Sequence, residues 1–356
     1  MKILIVDDTI FYRKILKDVF AEIYGVEVVG TAQNGKVALE KINNLKPGLV
    51  TLDVEMPYMN GLETLQIIQK EKLDVDVIMV SSKTQRGSDI AIQALTFGAF
   101  DFIPKPNVSD HDENKRVLKR EIMSKLLILK HKKRLYPSKK PNIKVLEQTK
   151  IKTPPSMNNI KKVKRTKKSQ IIAIGSSTGG PNALNELLTK LPDNIGVPIV
   201  VTQHMPPVFT ASLARTLNNK SKLTVKEACD GDVLENNVVY IAAGGKQMKV
   251  ASGAKFQKMI RLTDDPPENS CRPAVDYLFR SVAREYGSKV TGVVLTGMGS
   301  DGKIGMSVMK AAGAVCIVQN AETSVVYGMP KAVIEAGLAD FILPIEKISE
   351  QIMKTV

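Results

Sequence analysis

The stretch IIAIGSSTGGP, residues 171–181, begins as an apolar β-rich run and breaks into glycine and hydroxyl residues before Pro181. Proline suits the first turn of a helix, so the segment reads as strand, glycine turn and helix start, the repeating unit of an α/β fold. The turn admits two chemistries. Backbone N–H groups at a helix start can cradle a phosphate, and the same geometry can expose a nucleophilic serine, here Ser176 or Ser177.

The alternation continues on both sides. Toward the C-terminus come VPIVVTQH, NVVYIAAGG, KVTGVVLTGMG, AVCIVQN and DFILPI, with a hairpin expected near 246–263, where KQMKV and KMIRL flank ASGAKFQ. Toward the N-terminus, KILIVDD, VEVVGTA, GLVTLDVEM, VDVIMVSS and DFIPKP alternate with helical patterns such as GKVALEKINNL and GLETLQIIQKEK, closed by an amphipathic helix near 113–131. The fold class is α/β, with two doubly wound parallel-sheet domains expected at 1–131 and 169–356. Residues 132–168 are rich in Pro, Ser, Asn and Lys and have almost no apolar periodicity. They read as a disordered linker, unable to bury enough surface to offset the entropy of ordering.

A chain of 356 residues exceeds one ordinary core, and an apolar fraction of 43% fits globular domains. Cys229, Cys271 and Cys316 are odd in number and never CxxC, which indicates neither a disulfide framework nor a structural zinc site. The N-terminal apolar run ends in two aspartates and no stretch reaches the roughly 18 apolar residues of a membrane span, so the expected location is the cytoplasm. The formal charge of +15 is concentrated: residues 106–168 hold 20 Lys and Arg against 5 Asp and Glu, while the rest of the chain is neutral. The excess is thereby assigned to one segment and not to a folded domain. With only Tyr136 among those lysines, sequence-specific nucleic-acid recognition is not expected.

In the first half, Asp7 and Asp8 end one strand, Asp53 another, Ser81 a fourth and Lys105 a fifth. In a doubly wound sheet these ends share one edge. Three carboxylates in one crevice repel unless a cation joins them, and an all-oxygen set suits Mg²⁺. Asp53 can then take a phosphoryl group whose oxygens Ser81 and Lys105 hold. Singly, each residue reads equally well as a solvated turn, a helix cap or a surface charge; the joint pattern is the signal. With VDD, LDVEMPYMNGLE, MVSS, GAFDF and KP, residues 1 to about 130 resemble a response-regulator receiver domain. The resemblance implies a flavodoxin-like fold, phosphotransfer from a histidine kinase to Asp53, a switch through Ser81 and Phe102, and Mg²⁺ held by Asp7, Asp8, Asp53 and the Glu55 backbone carbonyl.

In the second half, Gly175-Ser176-Ser177-Thr178-Gly179 fits G-x-S-x-G centred on Ser177. Against a nucleotide site, no GxxxxGK is present and no acid closes the next strand. A serine nucleophile needs a base, and His204 is the only histidine of this half, at the end of VPIVVTQH; His111 and His131 lie in the basic segment. Asp301, after a strong apolar strand and a glycine turn, can orient the imidazole or cap a helix. Asp230, Asp232, Asp264 and Asp265 are alternatives in polar turns. AIGSSTGGP, VVTQHMPPVFT, RPAVDYLF, VVLTGMGSDGKIGM and QNAETSVVYGMPKAVIEAG resemble the catalytic domain of the chemotaxis protein-glutamate methylesterase family, CheB. That resemblance implies a Rossmann-like esterase domain, a Ser177, His204 and Asp301 triad needing no cofactor, and γ-glutamyl methyl esters on methyl-accepting chemotaxis receptors as substrate. Some members also deamidate receptor glutamines, and contact with the membrane runs only through the receptors. Oxyanion donors are expected from backbone N–H groups near Thr178 or Met298. The rival readings are a receiver joined to a docking module without catalysis, and a nucleic-acid regulator using the basic linker.

Overall fold

The computed structural model describes residues 1–106, 111–135, 168–254 and 257–356. The first five apolar runs become β1 (Lys2–Val6), β2 (Glu27–Ala32), β3 (Leu49–Asp53), β4 (Asp76–Ser81) and β5 (Asp101–Pro104). They form a parallel sheet in the order β2-β1-β3-β4-β5. Successive β1 residues face opposite sides, and each side has its own helices. Ile3 and Ile5 join Leu16 of α1 (Ile10–Ala21) and Leu118 of α5 (His111–Leu135). Leu4 and Val6 join Ile42 of α2 (Gly35–Leu45), Leu65 of α3 (Gly61–Lys70) and Ala91 of α4 (Gln85–Thr96). With both faces covered, β3 is buried throughout. The order reverses between β1 and β3, which opens a crevice at their carboxyl ends.

The second unit begins with β6 (Ile171–Ser176), α6 (Gly180–Leu188), β7 (Ile199–Gln203), α7 (Phe209–Asn218), β8 (Thr224–Glu227) and β9 (Val238–Ile241). The hairpin β10 (Gln247–Ser252) and β11 (Lys258–Thr263) follows, pairing antiparallel from Gln247 opposite Thr263 to Ser252 opposite Lys258. Then come α8 (Val275–Tyr286), β12 (Val290–Val294), α9 (Lys303–Ala311), β13 (Val315–Gln319), α10 (Met329–Glu335), β14 (Phe341–Leu343) and α11 (Ile345–Met353). Seven strands form a parallel sheet, β14-β13-β12-β6-β7-β9-β8. Both units are thus α/β. β6 stands at the switch point, with β7 on one side and β12 on the other. β8 was not expected, because as an edge strand it buries only Val225 and carries no apolar run.

Two expectations need correction. Helix α5 runs to Leu135, past residue 131 where the first domain was expected to end. It also carries nine of the basic segment's Lys and Arg, so part of the charge excess belongs to a folded element. The reason is amphipathicity: Leu118, Ile122, Leu126 and Leu129 turn inward at helical spacing, leaving basic side chains such as Arg116, Lys119 and Arg120 toward the outside. Among these, Lys119 bonds Glu22 at 2.7 Å. Of the linker expected at 132–168, residues 136–167 lie outside the described residues.

The two units touch. α4 packs on α7, the Phe102 ring stacks on Phe209 with centroids 4.4 Å apart, Arg215 pairs with Asp89 at 2.7 Å, and Asn182 Nδ2 donates to the Leu95 carbonyl at 2.8 Å.

Candidate active site

Ser177, His204 and Asp301 follow β6, β7 and β12, three adjacent strands of one sheet edge. Local sequence makes the approach feasible. A Cβ on Gly175 would sit 2.3 Å from a Val275 methyl, and Gly179 takes φ 78° at the cap of α6, so both glycines of G-x-S-x-G are sterically required. The two serines then separate. Ser176 is fully buried and donates to Gln203 Oε1 at 2.7 Å. Ser177 is partly exposed, and among the described residues its hydroxyl has no hydrogen-bond partner.

His204 Nε2 lies 2.7 Å from Asp301 Oδ2. Its other nitrogen, Nδ1, lies 3.5 Å from Cys271 Sγ rather than against Ser177. Asp301 also accepts from the backbone N–H groups of Val275 at 2.7 Å and Asp276 at 2.9 Å, which open α8, and from Gly302 at 2.9 Å and Asn269 Nδ2 at 3.0 Å. Burial pushes this carboxyl up, but the His204 bond and the helix-start donors outweigh it and hold it at about 2. Burial likewise pushes His204 down, and the contacts with Asp301 and Cys271 reverse that, raising it to about 9.

Five residues here were not singled out from the sequence as site residues. Gln203 Nε2 donates to the carbonyls of Ser177 at 2.9 Å and His204 at 3.1 Å, tying the two strand ends together. Asn269 and Ser270, both at positive φ, fold the loop before α8 so that Asn269 reaches Asp301 and Cys271 reaches His204. Asp276 lies buried behind Asp301, its carboxyl raised to about 6 mainly by burial and by that neighbouring charge. The alternatives are engaged elsewhere: Asp230 with Arg261, Asp232 with Lys226, Asp264 with Lys246 and Asp265 with Tyr277.

These groups open on a cleft of about 450 Å³, in which Ser177, Thr178, His204 and Cys271 face Asp101 and Phe102 of the first unit. Asp101 Oδ2 accepts from the Thr178 hydroxyl at 3.2 Å and pairs with Lys125 at 2.7 Å. A carboxylate of one domain therefore sits beside the serine of the other.

At the crevice of the first sheet, carboxylate oxygens of Asp7, Asp8 and Asp53 lie within 4.8 Å of one another. Lys105 Nζ is 2.9 Å from both Asp7 Oδ2 and Asp53 Oδ2, under the Tyr12 ring at 4.4 Å. One ammonium does not balance the set. Burial and repulsion from Asp7, opposed by Lys105, leave Asp53 raised to about 7. A cluster so short of positive charge fits a hard divalent cation. Ser81 stands at the same edge, but its hydroxyl donates to the Gly87 carbonyl at 2.8 Å. The Glu55 side chain turns out toward Arg86 at 3.6 Å. Phe102 is buried in the domain contact.

Residues 3–115 match the response regulator receiver domain family, and residues 172–352 match CheB methylesterase. A Desulfotalea psychrophila protein named protein-glutamate methylesterase/protein-glutamine glutaminase is 47% identical over 100% of this chain and 98% of its own. A Bacillus subtilis protein of the same name is 42% identical over 100% and 98%. The crystal structure of the Thermotoga maritima CheB methylesterase catalytic domain, 45% identical, aligns with TM-score 0.52 over 53% of this chain and 99% of that one. A serine at a glycine elbow, a histidine bonded to a buried aspartate on the next strands and an acidic crevice in the domain ahead are thus found in a chain that belongs to the CheB methylesterase family, with a response-regulator receiver domain at its N-terminal side.

Proposed function

We propose that this chain is a phosphorylation-controlled serine hydrolase that removes methyl groups from glutamate methyl esters of methyl-accepting chemotaxis receptors and deamidates receptor glutamines, in sensory adaptation. The observation that carries the reading is the His204 to Asp301 bond of 2.7 Å opening on the same cleft as the unpartnered Ser177 hydroxyl. Among the described residues no helix is long and apolar enough to cross a membrane, in keeping with a cytoplasmic enzyme that meets the membrane through its receptors.

In the reaction Ser177 Oγ attacks the ester carbonyl. With Nε2–H of His204 donating to Asp301, Nδ1 is the nitrogen that takes the serine proton, and Asp301 stabilises the imidazolium. Collapse of the tetrahedral adduct breaks the C–O bond, and His204 protonates the departing methoxide to methanol; for an amide the product is ammonia. Water, deprotonated by His204, then releases glutamate and Ser177. Among the described residues nothing accepts from the backbone N–H groups of Thr178 or Met298, which leaves both available to the oxyanion.

Control comes from the receiver. A histidine kinase supplies the phosphoryl group and Asp53 Oδ attacks it, with Lys105 beside the acceptor oxygen. Asp7, Asp8, Asp53 and the Glu55 carbonyl would hold Mg²⁺, which neutralises charge on the transferring group when bound. In the arrangement seen here Asp101 and Phe102 narrow access to Ser177. Phosphorylation, read through Ser81 and Phe102, loosens that contact.

The test is methanol release from methylated receptors with and without a small phosphodonor. Wild type releases methanol, faster with the phosphodonor, and Ser177→Ala loses on the order of 10⁶ in kcat. Equal release by Ser177→Ala would overturn the assignment and favour a docking module.

A further inference from the structure

Cys271 occupies a position that the esterase reaction does not explain. Its sulfur lies 3.5 Å from His204 Nδ1, and His204 Nε2 lies 2.7 Å from Asp301, so thiol, imidazole and carboxylate stand in the order of a cysteine hydrolase triad. The residue is partly exposed and lines the cleft of about 450 Å³. Ser177, in the same cleft, has no such contact with the imidazole. The chain's other cysteines offer contrasts in the same molecule: Cys229 is exposed and, among the described residues, bonds no imidazole, and Cys316 is buried.

We propose that Cys271 is a modification site, a nucleophilic thiol activated by His204 that small disulfide-forming electrophiles capture, with loss of turnover at Ser177. The sulfur loses its proton, to Nδ1 where that nitrogen is free and to water where the imidazole is already protonated, and attacks the electrophile as thiolate beside the imidazole. With methyl methanethiosulfonate a new S–S bond forms, the S–SO₂ bond breaks, and methanesulfinate departs with the electron pair. The mixed disulfide fills space beside Nδ1, the atom that Ser177 needs as its base. A dithiol reductant restores thiol and cleft. The loss of turnover rests on the esterase reading; the reactivity of the thiol does not.

The test treats the full chain with limiting methyl methanethiosulfonate near neutral pH and follows each cysteine by peptide mass spectrometry. Cys271 is expected to react on the order of tenfold faster than the more exposed Cys229, because an imidazole stands within reach of its sulfur. In His204→Gln the advantage disappears. Exposure alone would rank Cys229 first, and that ranking in wild type overturns the proposal without recourse to any variant. Methanol release should fall in step with Cys271 labelling, return with dithiothreitol, and be insensitive to the reagent in Cys271→Ser. Inhibition that persists in Cys271→Ser overturns the link to turnover. Fast labelling of Cys271 in a chain that releases no methanol would sink the esterase reading and leave the reactive thiol standing.

Discussion

His204 carries opposed requirements at a single residue. In the proposed reaction a base form is needed to take the Ser177 proton, yet Asp301 and Cys271 hold the imidazole at about 9, which leaves on the order of 1% of it neutral at pH 7. Its pKa is raised above the ordinary 6.5, so its contribution to stability is fully present below pH 6.5 and is lost as pH rises through about 9. Activity has the opposite slope. kcat/KM of the unphosphorylated chain should climb from pH 7 to a plateau above about 9 while the thermal midpoint declines over the same interval. Asp301→Asn removes the carboxylate charge that raises the imidazole, so its remaining activity should reach the plateau at lower pH. A wild-type profile already flat at pH 7 would show that the imidazole is not raised so far in the working enzyme. Ser177 was legible in the sequence because spacing alone centres the elbow on it, and His204 because it is the only histidine of its half. Cys271 and Asn269 were not, because a loop with two residues at positive φ, and no periodic pattern, brings them in.

At the scale of elements, strand ends were the legible feature. Runs such as KILIVDD and GLVTLDVEM are apolar because a sheet covered on both faces buries residues 3–6 and all of β3, and they stop where the carboxyl edge turns polar. The hairpin was legible for its paired runs, whereas β8 was hidden by its exposure and the length of α5 by its basic outer face. The ends of β1, β3 and β5 bring Asp7, Asp53 and Lys105 together, and the proposed cation site is expected to titrate. Asp53, raised to about 7, is neutral through much of the mildly acidic range. Stabilisation by Mg²⁺, read as the rise in thermal midpoint at a fixed excess of the ion, should be large at pH 8 and shrink as pH falls through about 7. Asp53→Asn should remove most of both the shift and its pH dependence. A rise that is the same at pH 5.5 and pH 8 would show that Asp53 is not a ligand.

The whole molecule is two sheets whose helices α4 and α7 pack together, with buried apolar residues of both units in one continuous cluster, so relative motion of the domains requires that this contact open. That face contains few strong contacts. The Phe102 and Phe209 stack is apolar, the Arg215 and Asp89 pair is half exposed, and Asp101 reaches Thr178 while also held by Lys125. A closed state of modest stability is what a phosphorylation switch needs, because one phosphoryl group at Asp53 must tip it. The exposed pair is worth roughly 0–1 kcal/mol. Arg215→Asp, which places two carboxylates opposite each other, should therefore raise methanol release without a phosphodonor by about two- to fivefold. Asp89→Arg in the same chain reverses the charges and should return release toward the wild-type level. That return separates a domain contact from damage to α7, since a damaged helix would not recover on a change in the other domain. If both chains release methanol at the wild-type rate, the α4 and α7 face does not restrain the esterase.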